Sequence, residues 1–348
     1  MVLNQSITLL LFSIIIYTLL EGVIFLSKKF GYYDKPDGVL KVHKSNTPKS
    51  GGLYFFIALF IIVFFFPSKG SQNYFEDISI ITVVIYGAYN LIIGVLDDSL
   101  RFLPQKKLIL QAGVSAIAII ILYFQSNTSI PVYILFLLFI LLIFNTNSLN
   151  IIDHYNGLST LSYLYSVIFM NYLYPSKILI QSNILLFLVF GFFLINNLRS
   201  KGNSRIFQGN GGSHFFGGLL SIAFVKILLE TADLYHFFAV LITGVIIFLP
   251  TLIDTTQVIF TRFLFGLNPL KGSNHHISHV IDSYTKGNVY YTIGILFTVI
   301  ITYSTVFLYL DYLGKRFEGI IFVLIAYLVT VITFIYLNKK LQKRNLND

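Results

Sequence analysis

Apolar residues fill this chain in long runs that carry few charges, and short polar segments separate them. A helix needs about 20 consecutive apolar residues to cross a bilayer. Runs of that kind predict spans near residues 6–27, 51–67, 77–96, 107–125, 130–149, 157–174, 178–196, 214–231, 235–261, 288–311 and 318–337. The first run, Ile7 to Leu20, has no Lys or Arg ahead of it, Lys28 and Lys29 behind it, and no small-residue cleavage site. It reads as a retained span with the N-terminus outside, not as a cleaved signal peptide. An odd number of spans then returns the C-terminus on the opposite side.

The distribution of charge agrees with that reading. Nineteen of the 24 Lys and Arg residues fall in the segments 28–50, 97–107, 197–213 and 262–287 and in the C-terminal tail, all of which share one side. Such a bias marks cytoplasmic loops. Only 11% of the 348 residues are charged, against about 25% in a soluble domain, and mean hydropathy is +0.78. The pattern predicts an all-α integral membrane protein of about eleven transmembrane helices with cytoplasmic loops long enough to form a site, organised as one polytopic domain over residues 1–348. The net charge of +9 is then a matter of orientation and of contact with anionic membrane lipid or substrate, not of nucleic acid. Zero Cys excludes disulfides, thiolate metal sites and redox-thiol chemistry.

Five polar clusters lie on the predicted cytoplasmic side. The apolar run Ile92 to Leu96 ends in Asp97-Asp98, with Lys107 and Gln111 following on one face of the next helix. Paired carboxylates at a membrane boundary are costly unless water, a cation or a base stabilises them. A second cluster, His43-Lys44…Thr47-Pro48…Gly51-Gly52, combines cations, hydroxyls and a Gly pair that could cradle phosphate. A third, Asn145 to Gly157, places Asn147, Asn150, Asp153, His154 and Asn156 beside an apolar span. Oxygen donors of this type suit Mg²⁺, and they also serve as interhelical hydrogen-bonding glue. The fourth runs Phe207-Gln208-Gly209-Asn210-Gly211-Gly212-Ser213 into a helix, a plausible anion site. The fifth holds Asp254 and Arg262, then His275, His276 and His279. Three His in five residues suggest zinc, but no Cys exists and no carboxylate adjoins them in sequence. A phosphate-facing group of His and Arg is the expectation.

In this order the clusters resemble the signatures of the polyprenyl-phosphate N-acetylhexosamine-1-phosphate transferases. That superfamily includes the bacterial undecaprenyl-phosphate GlcNAc-1-phosphate transferases and the phospho-MurNAc-pentapeptide transferases. The match runs from about Asp34 to Ile281, through His43…Thr47-Pro48…Gly51-Gly52, Gly94…Asp97-Asp98…Lys107…Gln111, Asn147…Asn150…Asp153…Gly157-Leu158, Phe207-Gln208-Gly209-Asn210…Gly217 and His276-Ile277-Ser278-His279.

The resemblance implies transfer of a HexNAc-1-phosphate from a UDP-sugar to undecaprenyl or another polyprenyl phosphate, with release of UMP and Mg²⁺ (or Mn²⁺) as cofactor. Carried over, Asp97, Asp98, Asp153, Lys107, His276 and His279 are the catalytic candidates. Substrate contacts would come from His43, Lys44, Thr47, Asn147, Asn156, Phe207 (on uracil), Gly209 and Arg262. Asn150 and Asn210 would hold the metal, in a bacterial inner membrane protein able to form a homodimer. The chain departs from the signatures in several places. Asn210 stands where the family has a metal-binding Asp, Asn156 replaces another Asp, His154 replaces a Gly, Ser278 the middle His, and Ser273 an Asp. The alternative is therefore a homologue of weak or no turnover that binds UDP-sugar or lipid phosphate as a partner or regulator. A transporter, the third reading, would carry its site at mid-membrane in broken helices, whereas these clusters sit at helix ends.

Overall fold

In a computed structural model the chain is described over residues 2–36, 46–65, 78–126, 130–175, 183–199, 204–231, 233–268 and 275–345. The described residues form α1 (Val2–Phe30), the short strands β1 (Tyr33–Asp34) and β2 (Thr47–Pro48), α2 (Gly51–Phe65), α3 (Ile78–Leu100), α4 (Pro104–Gln125) and α5 (Ile134–Ile151). There follow α6 (Leu158–Leu173), α7 (Asn183–Asn197), α8 (Gly209–Leu229), α9 (Leu234–Ile247), α10 (Leu249–Leu264), α11 (Ile277–Tyr284), α12 (Val289–Tyr312) and α13 (Arg316–Asn345).

The structure is that of an all-α membrane protein, and the eleven predicted spans are not all seen as full-length helices among the described residues. Among the described residues seven helices (α1, α3, α4, α5, α8, α12 and α13) are long and apolar enough to cross a bilayer. The pair α9 and α10 makes up to eight, although the two are bent by 79°. The predicted span 235–261 is broken there because Pro250 opens α10; proline offers no N–H to continue the preceding helix. Over the described residues the apolar helices α2 and α7 have 15 residues each, about 22 Å at 1.5 Å per residue.

α8 is the central helix. Of its most apolar stretch 83% is buried, against at most 44% for the other six full-length spans. It packs chiefly on α3 and α5. In lipid, helices gain little from the hydrophobic effect and associate through close backbone packing at small residues. Gly87 and Gly94 on α3 and Gly211 and Gly218 on α8 line such a contact. A Cβ at Gly94 would lie 2.2 Å from the Asn210 carbonyl oxygen, and one at Gly211 2.7 Å from Val95. Farther along, a Cβ at Gly218 would touch the Asn90 side chain. Numbers falling along α3 thus meet numbers rising along α8: the helices are antiparallel, and the C-terminal end of α3 meets the N-terminal end of α8. Beneath this contact Phe216 stacks on Tyr163 at 4.1 Å and 14°, and packs against Phe55 and Phe190.

The loop ahead of α2 is laced to the segment ahead of α8. β1 and β2 pair antiparallel, Tyr33 opposite Pro48. Phe207 N–H donates to the Pro48 carbonyl at 2.7 Å, and the Gly51 and Gly52 N–H groups donate to the Phe207 and Gln208 carbonyls at 3.0 Å. On the other side α13 braces the last helices, through Tyr327 O–H to Thr256 and Asn338 Nδ2 to the His275 carbonyl.

Gly94→Ala is expected to cost about 2 kcal/mol or more, because the new Cβ meets a backbone carbonyl that cannot yield without parting α3 from α8. A thermal unfolding curve in detergent reads it: the midpoint should fall well below that of Gly191→Ala, a helical glycine with open space around it. Equal midpoints would remove the close approach as a constraint.

Candidate active site

Two groups of side chains meet at this end of the bundle. The first gathers around the N-terminus of α8. Asp97 and Asp98 end α3 there. Asp97 Oδ1 accepts the Phe102 N–H at 2.9 Å, which fixes the turn into α4. Its Oδ2 accepts Asn210 Nδ2 at 3.2 Å and faces Lys107 Nζ at 3.4 Å. Lys107 Nζ also reaches Asn150 Oδ1 at 3.4 Å, and Asn150 Nδ2 donates to Asn210 Oδ1 at 2.9 Å and to Ser213 Oγ at 3.0 Å. Lys107, Asp97, Asn210 and Asn150 therefore close a ring contributed by α4, α3, α8 and α5.

Asp98 is held from the opposite direction. Tyr32 O–H donates to its Oδ2 at 3.0 Å, Lys49 Nζ lies 3.6 Å from Oδ1, and the same ammonium donates to the Asp98 backbone carbonyl at 2.6 Å. Gly209 makes the junction possible. It adopts φ +73°, and a Cβ would fall 2.4 Å from the Lys49 carbonyl oxygen and 3.0 Å from Asp98 Oδ2; only glycine takes that backbone and that gap without strain. Asp153, in the loop between α5 and α6, turns its carboxyl toward the Ser213 hydroxyl. Burial, and then the charge of Asp98, push that carboxyl well above the ordinary carboxylate range.

The second group is imidazole. His276 Nδ1 donates to Asp254 Oδ2 at 2.7 Å, and Asp254 Oδ1 accepts the Ile277 N–H at 2.9 Å, the first helical residue of α11. Both side chains are buried, 5% and 4% exposed. His154 stacks on His276 with ring centroids 3.7 Å apart and lies 4.9 Å from His279. Its Nδ1–H donates to the Ile151 carbonyl, so Nε2 accepts from Ser278 Oγ at 2.6 Å. Burial and the charge of His276 hold the His154 imidazole well below its ordinary value, in keeping with that neutral tautomer. Arg262 lies buried two turns along α10 from Asp254, with that carboxylate as its charge neighbour.

The absence of a carboxylate beside the histidines, as the sequence has it, is corrected here: Asp254, 22 residues upstream of His276, closes on the ring. Ligand atoms of His154, Asp254 and His276 fall within 4.8 Å of one another, yet these residues do not fit a shared ion as they stand. Two imidazoles on one tetrahedral ion point convergent lone pairs from splayed rings, whereas these lie face to face, and both Asp254 oxygens already accept N–H groups.

Of the remaining candidates, Thr47 is buried in β2, and Phe207 and Gly209 lie on the laced segment beside Asp98. Asn147 ties α5 to α4 through Gln111 Oε1 at 2.8 Å, and Asn156 ties its loop to Ser204 at 2.9 Å; their bonds join structural elements and do not reach the acids. His43 and Lys44 fall outside the described residues. Tyr32 and Lys49 belong to the site although the sequence marked neither as a member, and Asp254, placed in the fifth cluster, was assigned no role. Lys49 carried a signal, as a cation two positions before the Gly pair.

Residues 80–228 match the profile of the family described as Glycosyl transferase family 4. The chain is similar to a Bacillus subtilis protein named as a probable undecaprenyl-phosphate N-acetylglucosaminyl 1-phosphate transferase, at 30% identity over 78% of this chain and 76% of the relative. It is also similar to the phospho-N-acetylmuramoyl-pentapeptide-transferases of Streptococcus pneumoniae, at 28% identity over 70% and 77%, and of Limosilactobacillus fermentum, at 27% over 85% and 95%.

A carboxyl whose folded value lies above its unfolded one contributes stability that is complete in acid and is lost as pH rises through the folded value. Asp153→Asn is therefore expected to raise the unfolding midpoint at about pH 7.5 and to leave it nearly unchanged near the ordinary Asp value of about 4. Midpoints displaced equally at both would show that Asp153 does not carry the perturbed proton.

Proposed function

This chain belongs to the polyprenyl-phosphate N-acetylhexosamine-1-phosphate transferase superfamily, and from that premise we propose that it transfers a HexNAc-1-phosphate from a UDP-sugar to undecaprenyl phosphate, releasing UMP and starting a lipid-linked surface glycan. The observation that carries the reading is the meeting of three carboxylates, two lysines and two amides at the N-terminus of α8, directly beside a group of imidazoles. The donor we favour is UDP-GlcNAc or a related UDP-HexNAc, on the strength of the relative at 30% identity. The basic bias of the loops supports an active site on the cytoplasmic face of a bacterial inner membrane, with the N-terminus outside and the C-terminus inside.

In the proposed reaction an oxygen of the lipid phosphate attacks the β-phosphorus of the UDP-sugar. The bond from that phosphorus to the bridging oxygen breaks, and UMP departs with the electron pair. Asp97 and Asp98 are each fixed by several donors, so they hold position. Asp153 is the carboxyl whose environment favours taking up a proton, and it would receive the one shed by the lipid monophosphate. Lys107 and Lys49 offset the charge brought by the phosphates. Phe207 would stack on uracil, with the Gly209 backbone and Thr47 beside it. Arg262, His276 and His279 would face the diphosphate.

The metal ring fits a hard cation. Asp97 Oδ2 and Asn150 Oδ1 are oxygen donors already drawn around a positive charge, that of Lys107, and Asn210 Oδ1 adjoins them through its bond from Asn150 Nδ2. These residues would hold Mg²⁺ or Mn²⁺, which accept amide and carboxylate oxygens. When bound, such an ion neutralises charge on the diphosphate and improves UMP as a leaving group. Asn210 supplies an oxygen without the charge of a carboxylate, which lowers the affinity for the ion.

Purified protein in detergent, given undecaprenyl phosphate, a panel of UDP-HexNAc donors and Mg²⁺ or Mn²⁺, is expected to release UMP with at least one donor. Asp97→Asn should lower kcat by about 100-fold or more, while Asn210→Asp should reduce the metal concentration needed for half-maximal rate. Donor binding with no UMP release across the panel, unrestored by Asn210→Asp, would move the protein to the binding-homologue reading.

A further inference from the structure

His154 is a half-buried ring for which the proposed reaction has no task. We propose that it is a positioning residue: it supplies the middle member of a three-imidazole group and from there fixes the distance between the histidines and Asp153. The proposal rests on the reading that the histidines face the diphosphate.

The distances put His154 in the middle. It lies 3.7 Å from the His276 ring and 4.9 Å from the His279 ring, whereas those two are 6.1 Å apart and tilted by 60°. Both of its nitrogens are engaged, Nδ1 with the Ile151 carbonyl and Nε2 with Ser278. A ring fixed at both nitrogens cannot turn, and its face lies flat against His276 at 30°. His276 is in turn fixed in its own plane by Asp254.

The ring tip touches the side chain at position 278 at 2.6 Å, and that side chain is a serine only 1% exposed. A ring at 154 and a ring at 278 would claim the same space. These are also two positions at which the chain departs in opposite directions from the signatures it resembles, with His for Gly at 154 and Ser for His at 278. Beside Ser278 the third ring of the group comes from the loop after α5 and not from α11.

The new origin matters because of the neighbour. Asp153 and His154 are adjacent in one loop; the first reaches Ser213 on α8, the second Ser278 on α11. The pair couples the carboxylate group to the imidazole group through a single peptide unit, a shorter linkage than a histidine borne on α11 would provide.

The test is a four-member cycle in the full-length protein in detergent: wild type, His154→Gly, Ser278→His and the double variant. For each, kcat and KM for the UDP-HexNAc donor, donor affinity and the unfolding midpoint are measured. His154→Gly is expected to lower kcat about tenfold or more per folded molecule with KM nearly unchanged, the coupling scale of residues in direct contact. Ser278→His alone should lower both kcat and the midpoint, because two rings then contest one space. The double variant should recover to within a few-fold of wild type. A double variant whose losses are the product of the single ones would overturn the proposal, as would His154→Gly at full kcat. Should no member release UMP, the proposed reaction fails, and the midpoints and donor affinities still decide the coupling: recovery of both in the double variant supports it, and additivity overturns it.

Discussion

The backbone contact between α3 and α8 is the constraint from which the site follows, because at Gly94 only a hydrogen stands between one helix and the Asn210 carbonyl of the other. Antiparallel packing at that separation brings the last turn of α3 against the first turn of α8. Asp97, Asp98, Asn210 and Ser213 are near one another for that reason alone. In lipid the contact relies on van der Waals packing and interhelical hydrogen bonds, which explains both the small residues along it and the burial of α8 on all sides.

Concentrating three carboxylates there has a cost that the surrounding residues offset. Asp97 and Asp98 sit at the C-terminal end of their own helix, where its dipole is negative. They face the N-terminal end of α8, where the dipole is positive, and the ammonium groups of Lys107 and Lys49 approach from α4 and from the loop before α2. Asparagines complete the arrangement, since a buried polar group without a partner in this setting costs several kcal/mol. Asn210 is well suited to the ring around Lys107: it donates to Asp97 and accepts from Asn150. A carboxylate at 210 would have no proton to offer Asp97 and would demand a cation in its place.

Much of the site was legible in the sequence. Asp97, Lys107, Asn150 and Asn210 stood out as polar residues at the ends of apolar runs, and they meet in one ring. His276 and His279 stood out as a motif and lie within one cluster. Other pairings were not legible, because the partners are distant in the chain. Lys49 and Tyr32 reach Asp98 across 49 and 66 residues, and Asp254 reaches His276 across 22. Asn147 and Asn156 show the converse: amides at suggestive positions whose bonds tie helix to helix and loop to loop.

The sequence by itself determined that the chain is helical, that it lives in a membrane, that sulfur chemistry is absent and that its polar signatures follow a known family order. Each of these is written in local hydropathy, composition or spacing. Only the tertiary structure decided where Pro250 breaks a span, which lysine faces which aspartate, and that a histidine on the loop after α5 fills the space beside Ser278. Those outcomes depend on how closely two backbones approach and on which side chains then share one small volume, and no spacing along a single chain records either.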